Sequence, residues 1–148
     1  MTPSSHPDYA GDLDVQEAWA LLGSDPKAQL VDVRTMAEWN FVGLPDISAL
    51  SRRVHCIEWQ SFPTMAMNPA FAAEAEATVK AAGAAKDTPI LFLCRSGARS
   101  RAAAMALAAR GFTQAFNVAG GFEGDPDGER HRGRVNGWKA AGLPWRQS

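Results

Sequence analysis

An α/β fold with a parallel sheet is what the order of periodicities along this chain predicts. Short β-branched or apolar runs alternate with amphipathic helical stretches, the pattern of right-handed strand–helix–strand crossovers. One run, "PILFLC" (Pro89–Cys94), is apolar without interruption, as expected of a strand covered on both faces. The length of 148 residues suits one domain with a sizeable core.

Residues 1–8 read as a polar tail and residues 9–148 as the domain. Asp14 is positioned as an N-cap with Glu17 at N3, and Val15, Ala18, Trp19 and Leu22 repeat at helical spacing, with Gly23 as terminator. "QLVDV" (Gln29–Val33) is a strand and "RTMAEW" after it a helical turn. Pro45 to Arg53 reads as loop, and "VHCIEW" (Val54–Trp59) alternates as a strand does. Asn68 then caps a helix with Pro69 at N1, its buried stripe marked by Phe71, Ala72, Ala75, Val79 and Ala82, and Gly83 ends it. After Pro89–Cys94 comes an alanine-rich helix over Ser100–Arg110, stopped by Gly111, and then a strand "AFNV" (Ala115–Val118). The polar stretch Glu123–Arg134 is a long loop before a last short helix around Val135–Ala141, closed by Gly142 and Pro144.

Composition removes several classes of function. A net charge of −1 offers no global attraction for nucleic acid or an acidic membrane. No apolar stretch approaches the roughly 18–20 residues needed to span a bilayer. The first ten residues lack the basic start and apolar run of a signal peptide, so the cytoplasm is the expected compartment. Two cysteines, Cys56 and Cys94, make no disulfide framework, and both are expected as free thiols. His6, His55 and His131 show no metal-ligand spacing.

The chemistry concentrates at Cys94. In an open α/β sheet, ligands sit at the carboxyl ends of strands, which is where this cysteine falls. "CRSGARS" (Cys94–Ser100) then turns directly into a helix, whose N-terminus carries about half a positive charge. The backbone N–H groups of Arg95, Ser96, Gly97, Ala98, Arg99 and Ser100 are placed to converge as an anion-binding nest. Gly97 and Ala98 let that backbone curl closely. From Thr88 to Phe122 there are four arginines and no acid. Taken alone, Cys94 reads as a small buried core residue; its cationic context favours a reactive thiolate instead, since burying such charges beside an inert cysteine is costly.

At these residues the chain resembles a rhodanese domain of the single-domain thiosulfate sulfurtransferase type. "CRSGARS" is similar to the active-site loop of that family, "LVDVRTMAEW" (Leu30–Trp39) to its "D-V-R-x-x-x-E-[YW]" element, and "NVAGGF" and "GWKAAGLPW" to its C-terminal portion. The resemblance spans about Tyr9 to Trp145. It implies a five-stranded parallel sheet flanked by helices on both faces, Cys94 as nucleophile, and a persulfide formed from thiosulfate or another anionic sulfane donor. The acceptor it implies is a thiol or cyanide, a protein thiol among them, with no metal and no organic cofactor. Two departures concern the acceptor pocket: "VGLPDISAL" (Val42–Leu50) stands where the family often has "G-H-I-P-G-A", and Glu123–Arg134 is longer than usual.

The nearest competitor is a cysteine phosphatase or arsenate reductase, built on Cys-x5-Arg to wrap a tetrahedral oxyanion. Here Arg99 comes five positions after Cys94, one residue short, which favours sulfur over a phosphoryl group. A non-catalytic binding or sulfur-relay module is the third class. Among supporting residues, Asp32 is expected near the catalytic loop, bracing an arginine or loop amides. Arg34 and Glu38 read as a structural ion pair at i, i+4. Cys56 reads as buried and inert rather than a resolving thiol. Arg130, His131, Arg132 and Arg134 read as a solvated loop rather than a basic lid. The tryptophans Trp39, Trp59, Trp138 and Trp145 read as core or shell.

Overall fold

The apolar run before Cys94 forms the middle of a five-stranded sheet, and its pleat divides the core in two. A computed structural model describes residues 8–61 and 63–147; the expected polar tail lies, apart from Asp8, outside the described residues. In chain order the elements are β1 (Gly11–Leu13), α1 (Val15–Ser24), β2 (Gln29–Asp32), α2 (Met36–Phe41), β3 (Leu44–Pro45), β4 (His55–Cys56), β5 (Gln60–Ser61), β6 (Ala66–Met67), α3 (Phe71–Ala81), β7 (Ile90–Leu93), α4 (Ala98–Ala108), β8 (Ala115–Val118) and β9 (Trp145–Arg146). The central sheet runs β1-β8-β7-β2-β4 with every neighbour parallel.

All four residues of β2, β7 and β8 are buried, because helices cover both faces. Ile90, Phe92 and Cys94 face the side packed by α3 and α4, joined there by Phe71, Val79, Ala103 and Leu107. Leu91 and Leu93 point the other way, against Ala18 and Leu22 of α1 and against Phe122 and Trp138. Burying a side chain of this size stabilises the fold by about 1.5–3 kcal/mol. The alanines of α4 let it lie close to the sheet. Register aligns Asp32 with Leu93 and with Cys56, so the carboxyl ends of β2, β7 and β4 form one edge.

The α1 capping box forms as the sequence predicts: Asp14 accepts from the Glu17 amide, and Glu17 from the Asp14 amide. The helix runs past the expected terminator Gly23 to Ser24, with Asp25 as its C-cap. Asn68 stands one turn outside α3, which is capped by Ala70; the Asn68 side chain instead accepts from the Ala70 amide in a tight turn. Of the expected α3 stripe, Phe71, Ala75 and Val79 are buried, while Ala82 is exposed.

Four differences are larger. β1 is a short parallel edge strand that local periodicity does not reveal in three residues. "VHCIEW" contributes only His55–Cys56 to the sheet. The segment read as loop from Pro45 to Arg53 holds the end of β3 and a 3-10 turn at Ser48–Leu50. The expected helix at Val135–Ala141 is replaced by turns, held by the Ala141 amide on Gly137 and the Leu143 amide on Trp138. Trp138 overrides helix formation there: it is fully buried, stacks edge-on to Trp19 at 5.9 Å, and donates its indole N–H to the Pro144 carbonyl at 2.7 Å.

Candidate active site

Cys94 follows the last residue of β7, the central strand, and the chain reaches α4 within three residues. That short connection requires Gly97 as N-cap at a φ of +124°, a conformation that residues with a Cβ rarely adopt. The bend points the Gly97 amide at the Cys94 sulfur, 3.1 Å away, and brings the Ser100 hydroxyl to 3.2 Å. The first amides of α4 have no intrahelical acceptor, and their partial positive charge lies at the same end. Cys94 is 1% exposed, with apolar neighbours along the strand and polar donors at its sulfur.

The other side of the loop rests on the "NVAGGF" turn. Phe122 donates its amide to the Cys94 carbonyl at 2.8 Å, and Glu123 and Gly124 each donate to the Arg95 carbonyl at 3.0 Å. Gly121 is where the two backbones meet: a Cβ there would lie 2.6 Å from the Arg95 carbonyl oxygen and press on that of Cys94. The turn therefore fixes the Cys94 and Arg95 carbonyls on the side of the loop away from the Gly97 amide's contact with the sulfur.

"DVRTMAEW" divides its charges in a way the i, i+4 spacing does not predict. Thr35, not Arg34, caps α2, so Arg34 lies outside the helix and the expected Arg34–Glu38 pair does not form. Arg34 instead turns back onto Asp32, with Nε to Oδ1 at 2.9 Å and Nη2 to Oδ2 at 2.7 Å, both side chains fully buried. It also donates to the Gly43 carbonyl at 2.7 Å and lies over the Phe122 ring at 4.3 Å.

Glu38, at N3 of the α2 capping box, accepts from the Thr35 amide and meets Arg99 of the cysteine loop face to face, at 2.8 and 3.0 Å. Burial raises the Glu38 carboxyl, but hydrogen bonding and charge from Arg99 outweigh it and hold the group below its ordinary value of about 4.5. Burial likewise opposes the charge on Arg99, while Glu38 more than compensates, and electrostatic interaction with Cys94 and Asp32 acts in the same direction. A carboxyl depressed on folding contributes stability that is full above its unfolded value and lost as pH falls through the folded one. Glu38→Gln should thus destabilise the domain by about 1 kcal/mol near neutral pH. That gap should close below about pH 4.5 in denaturant titrations of both proteins.

Of the expected loop residues, the structure places the Gly97 amide and the Ser100 hydroxyl oxygen against the Cys94 sulfur, while Arg95 is exposed and Arg99 is paired with Glu38. Asp32 braces an arginine, as one of its two expected roles has it, but the arginine is Arg34. Glu38, Gly121, Asn117 and Asp12 complete the surroundings of the loop without having been assigned a part in it. The signals for the first two were the acid in the Asp-Val-Arg element and the paired glycines. A cavity of about 510 Å³ opens beside the loop, lined among others by Thr35, Glu38, Phe41, Met65, Arg95 and Arg99.

Cys56 corrects another expectation: it is exposed rather than buried. It opens into a separate cavity of about 720 Å³ with Arg53 and Arg146 in its wall. Protein nevertheless crowds the thiol, and desolvation, reinforced by the Asp32 charge, pushes it up to about 12 against the opposing Arg34 and Arg146. A thiol so poorly ionised is a weak nucleophile. Iodoacetamide should modify Cys56 roughly a hundredfold or more slowly than a free cysteine at mildly alkaline pH, by peptide mapping. The loop after Glu123 has no regular structure, as expected; Asp127 orders it by accepting from the Glu129 and His131 amides and pairing with Arg134 at 3.5 Å.

A five-stranded parallel sheet with a hydrogen-bonded cysteine at the tip of its central strand defines a rhodanese-like fold. The chain belongs to the STR4 middle domain family, whose sequence model matches residues 11–148. It is 47% identical to the protein in the crystal structure of Rv0390 from M. tuberculosis, at a TM-score of 0.84, over 95% of this chain and 99% of that one. The uncharacterized protein RP600 of Rickettsia prowazekii (strain Madrid E) is 33% identical over 129 residues, covering 87% of this chain and 91% of its own length. The chloroplastic rhodanese-like domain-containing protein 4 of Arabidopsis thaliana is 26% identical over 88% of this chain, which matches 24% of that protein. Likeness in fold extends to the polysulfide-sulfur transferase homodimer of Wolinella succinogenes, with a TM-score of 0.57 at 21% identity, over 93% of this chain and 78% of that one.

Proposed function

We propose that this protein is a sulfurtransferase that carries sulfane sulfur as a persulfide on Cys94. The observation that carries the reading is the sulfur itself, at the tip of the central strand with the Gly97 amide aimed at it from 3.1 Å and the Ser100 hydroxyl oxygen 3.2 Å away. In the first half-reaction the Cys94 thiolate attacks the outer sulfur of a donor such as thiosulfate. A sulfur–sulfur bond forms to Cys94, the donor's sulfur–sulfur bond breaks, and its electron pair leaves with sulfite. The product, Cys94–S–S⁻, keeps one negative charge, which the loop amides and the α4 N-terminus stabilise. In the second half-reaction an acceptor thiolate takes the outer sulfur and returns Cys94 to thiolate. A polysulfide chain enters by the same step, with a shorter polysulfide as leaving group.

The Arg99–Glu38 pair favours sulfur over phosphate. A phosphatase loop needs its arginine free to clasp two oxyanion oxygens, whereas both Arg99 nitrogens nearest Glu38 are already engaged by a carboxylate. Arg95, exposed on the loop, supplies the positive charge that draws an anionic donor. Mass spectrometry after incubation with thiosulfate tests the reading: one added sulfur atom should map to Cys94, with stoichiometric sulfite released. An unmodified Cys94, or turnover of an aryl phosphate instead, overturns it.

A further inference from the structure

Behind the candidate nucleophile lies a buried polar chain that the reaction as written does not use. Ser100 has one hydroxyl proton and three acceptors in reach: Cys94 Sγ at 3.2 Å, the Gly97 carbonyl at 3.1 Å and Asn117 Oδ1 at 2.6 Å. Ser100 and Asn117 are both fully buried, so water does not enter this competition. The shortest contact, to Asn117, is also the only one within the usual range for O–H···O.

Asn117 offers its oxygen, not its nitrogen, because of Asp12. The Asn117 Nδ2 group donates to Asp12 Oδ1 at 2.9 Å, and an ionised carboxylate only accepts. Asp12 is held in turn by the Tyr9 hydroxyl, which donates to the same oxygen at 2.8 Å. The amide is therefore latched with its acceptor toward Ser100. A carboxamide does not readily pass a proton along, so this chain is no relay from the sulfur to the surface. It decides where one proton points.

We infer that Asn117, latched by Asp12, is a positioning residue that competes with Cys94 for the Ser100 hydroxyl proton and so restrains the reactivity of the resting sulfur. With the proton on Asn117, the sulfur keeps the Gly97 amide but lacks the second donor. To stabilise a thiolate, Ser100 must release Asn117 and turn to the sulfur. Removing the competitor therefore speeds attack by Cys94, whereas removing Ser100 slows it. The inference rests on Cys94 as the nucleophile of the proposed function, and its readout is separable from sulfur transfer.

The test is iodoacetamide alkylation of Cys94 at neutral pH, by peptide mapping in a Cys56→Ser background, with thiosulfate kinetics alongside. Asn117→Leu keeps the number of side-chain heavy atoms and the branch at Cγ while removing the acceptor oxygen, and should raise the alkylation rate about tenfold, the effect of one hydrogen bond to a charged group. It should raise kcat for sulfite release and leave KM for thiosulfate unchanged. Asp12→Ala, at a half-buried position that does not threaten the core, unlatches the amide and should act in the same direction by about threefold. Ser100→Ala should slow alkylation, and Asn117→Leu added to Ser100→Ala should change nothing further. A structural role for Asn117 would persist without Ser100; that result, or slower alkylation in Asn117→Leu, overturns the inference. The alkylation pattern in a protein that takes no sulfur from thiosulfate retains the inference and rejects the proposed function. Sulfur transfer with alkylation unmoved does the reverse.

Discussion

Cys94→Ser should eliminate persulfide formation and reduce sulfite release from thiosulfate to the uncatalysed background, while the protein unfolds at nearly its original denaturant midpoint. Serine is close to cysteine in shape, and its oxygen accepts from the Gly97 amide as the sulfur does, so the loop keeps its closest inward contact. What is lost is chemical. A hydroxyl is scarcely ionised at neutral pH, and an oxygen does not carry sulfane sulfur reversibly. Cys94→Ala is the less informative variant, because it leaves the Gly97 amide facing a small void; an unsatisfied buried donor costs about 1–3 kcal/mol. The comparison separates chemistry from folding: serine should spare stability and remove activity, alanine should diminish both. Persistent sulfite release by Cys94→Ser would place the reacting sulfur elsewhere in the chain.

The parts of this site that were legible in the sequence share one property: they are local. The Cys94 loop was readable because strand end, glycine, cations and helix start follow one another within seven residues, and backbone geometry leaves them few arrangements. The α1 capping box and the buried β7 run were readable for the same reason. Where the outcome turned on distant partners, local spacing pointed the wrong way. Arg34 and Glu38 stand at helical spacing, but Thr35 captures the cap and places Arg34 before the helix. Arg99 then supplies the charge Glu38 needs, from 61 residues away in sequence. Val135–Ala141 reads as a short helix closed by Gly142 and Pro144, yet burying Trp138 against Trp19 stabilises turns instead. The exposure of Cys56 was hidden because its strand ends after two residues at the sheet edge, where alternation no longer reports burial. Asn117 sits within a fully buried strand, and nothing in its neighbours reveals that Asp12 and Ser100 converge on it across the sheet.

Arg34→Ala and Asp32→Ala should each destabilise the domain by about 3–5 kcal/mol, read from urea unfolding, because each leaves its partner's charge buried alone. Against a total of about 5–15 kcal/mol for a typical domain, either change brings the fold near its limit. The pair is nonetheless no net gift to stability. Both charges are fully desolvated, and among the described residues Arg34 Nη1 has no hydrogen-bond partner. Replacing both side chains with apolar ones, Asp32→Leu with Arg34→Met, removes those penalties together, so the double variant should be more stable than either alanine variant. Its function should still suffer. Arg34 ties the Gly43 carbonyl to the Phe122 ring, and the Phe122 amide holds the Cys94 carbonyl in place. A double variant that recovers stability but transfers sulfur more slowly would show that the buried charges hold the loop's geometry rather than the fold's free energy. Full recovery of both would reduce the pair to packing, and equal losses in single and double variants would mean that the ion pair itself stabilises the domain.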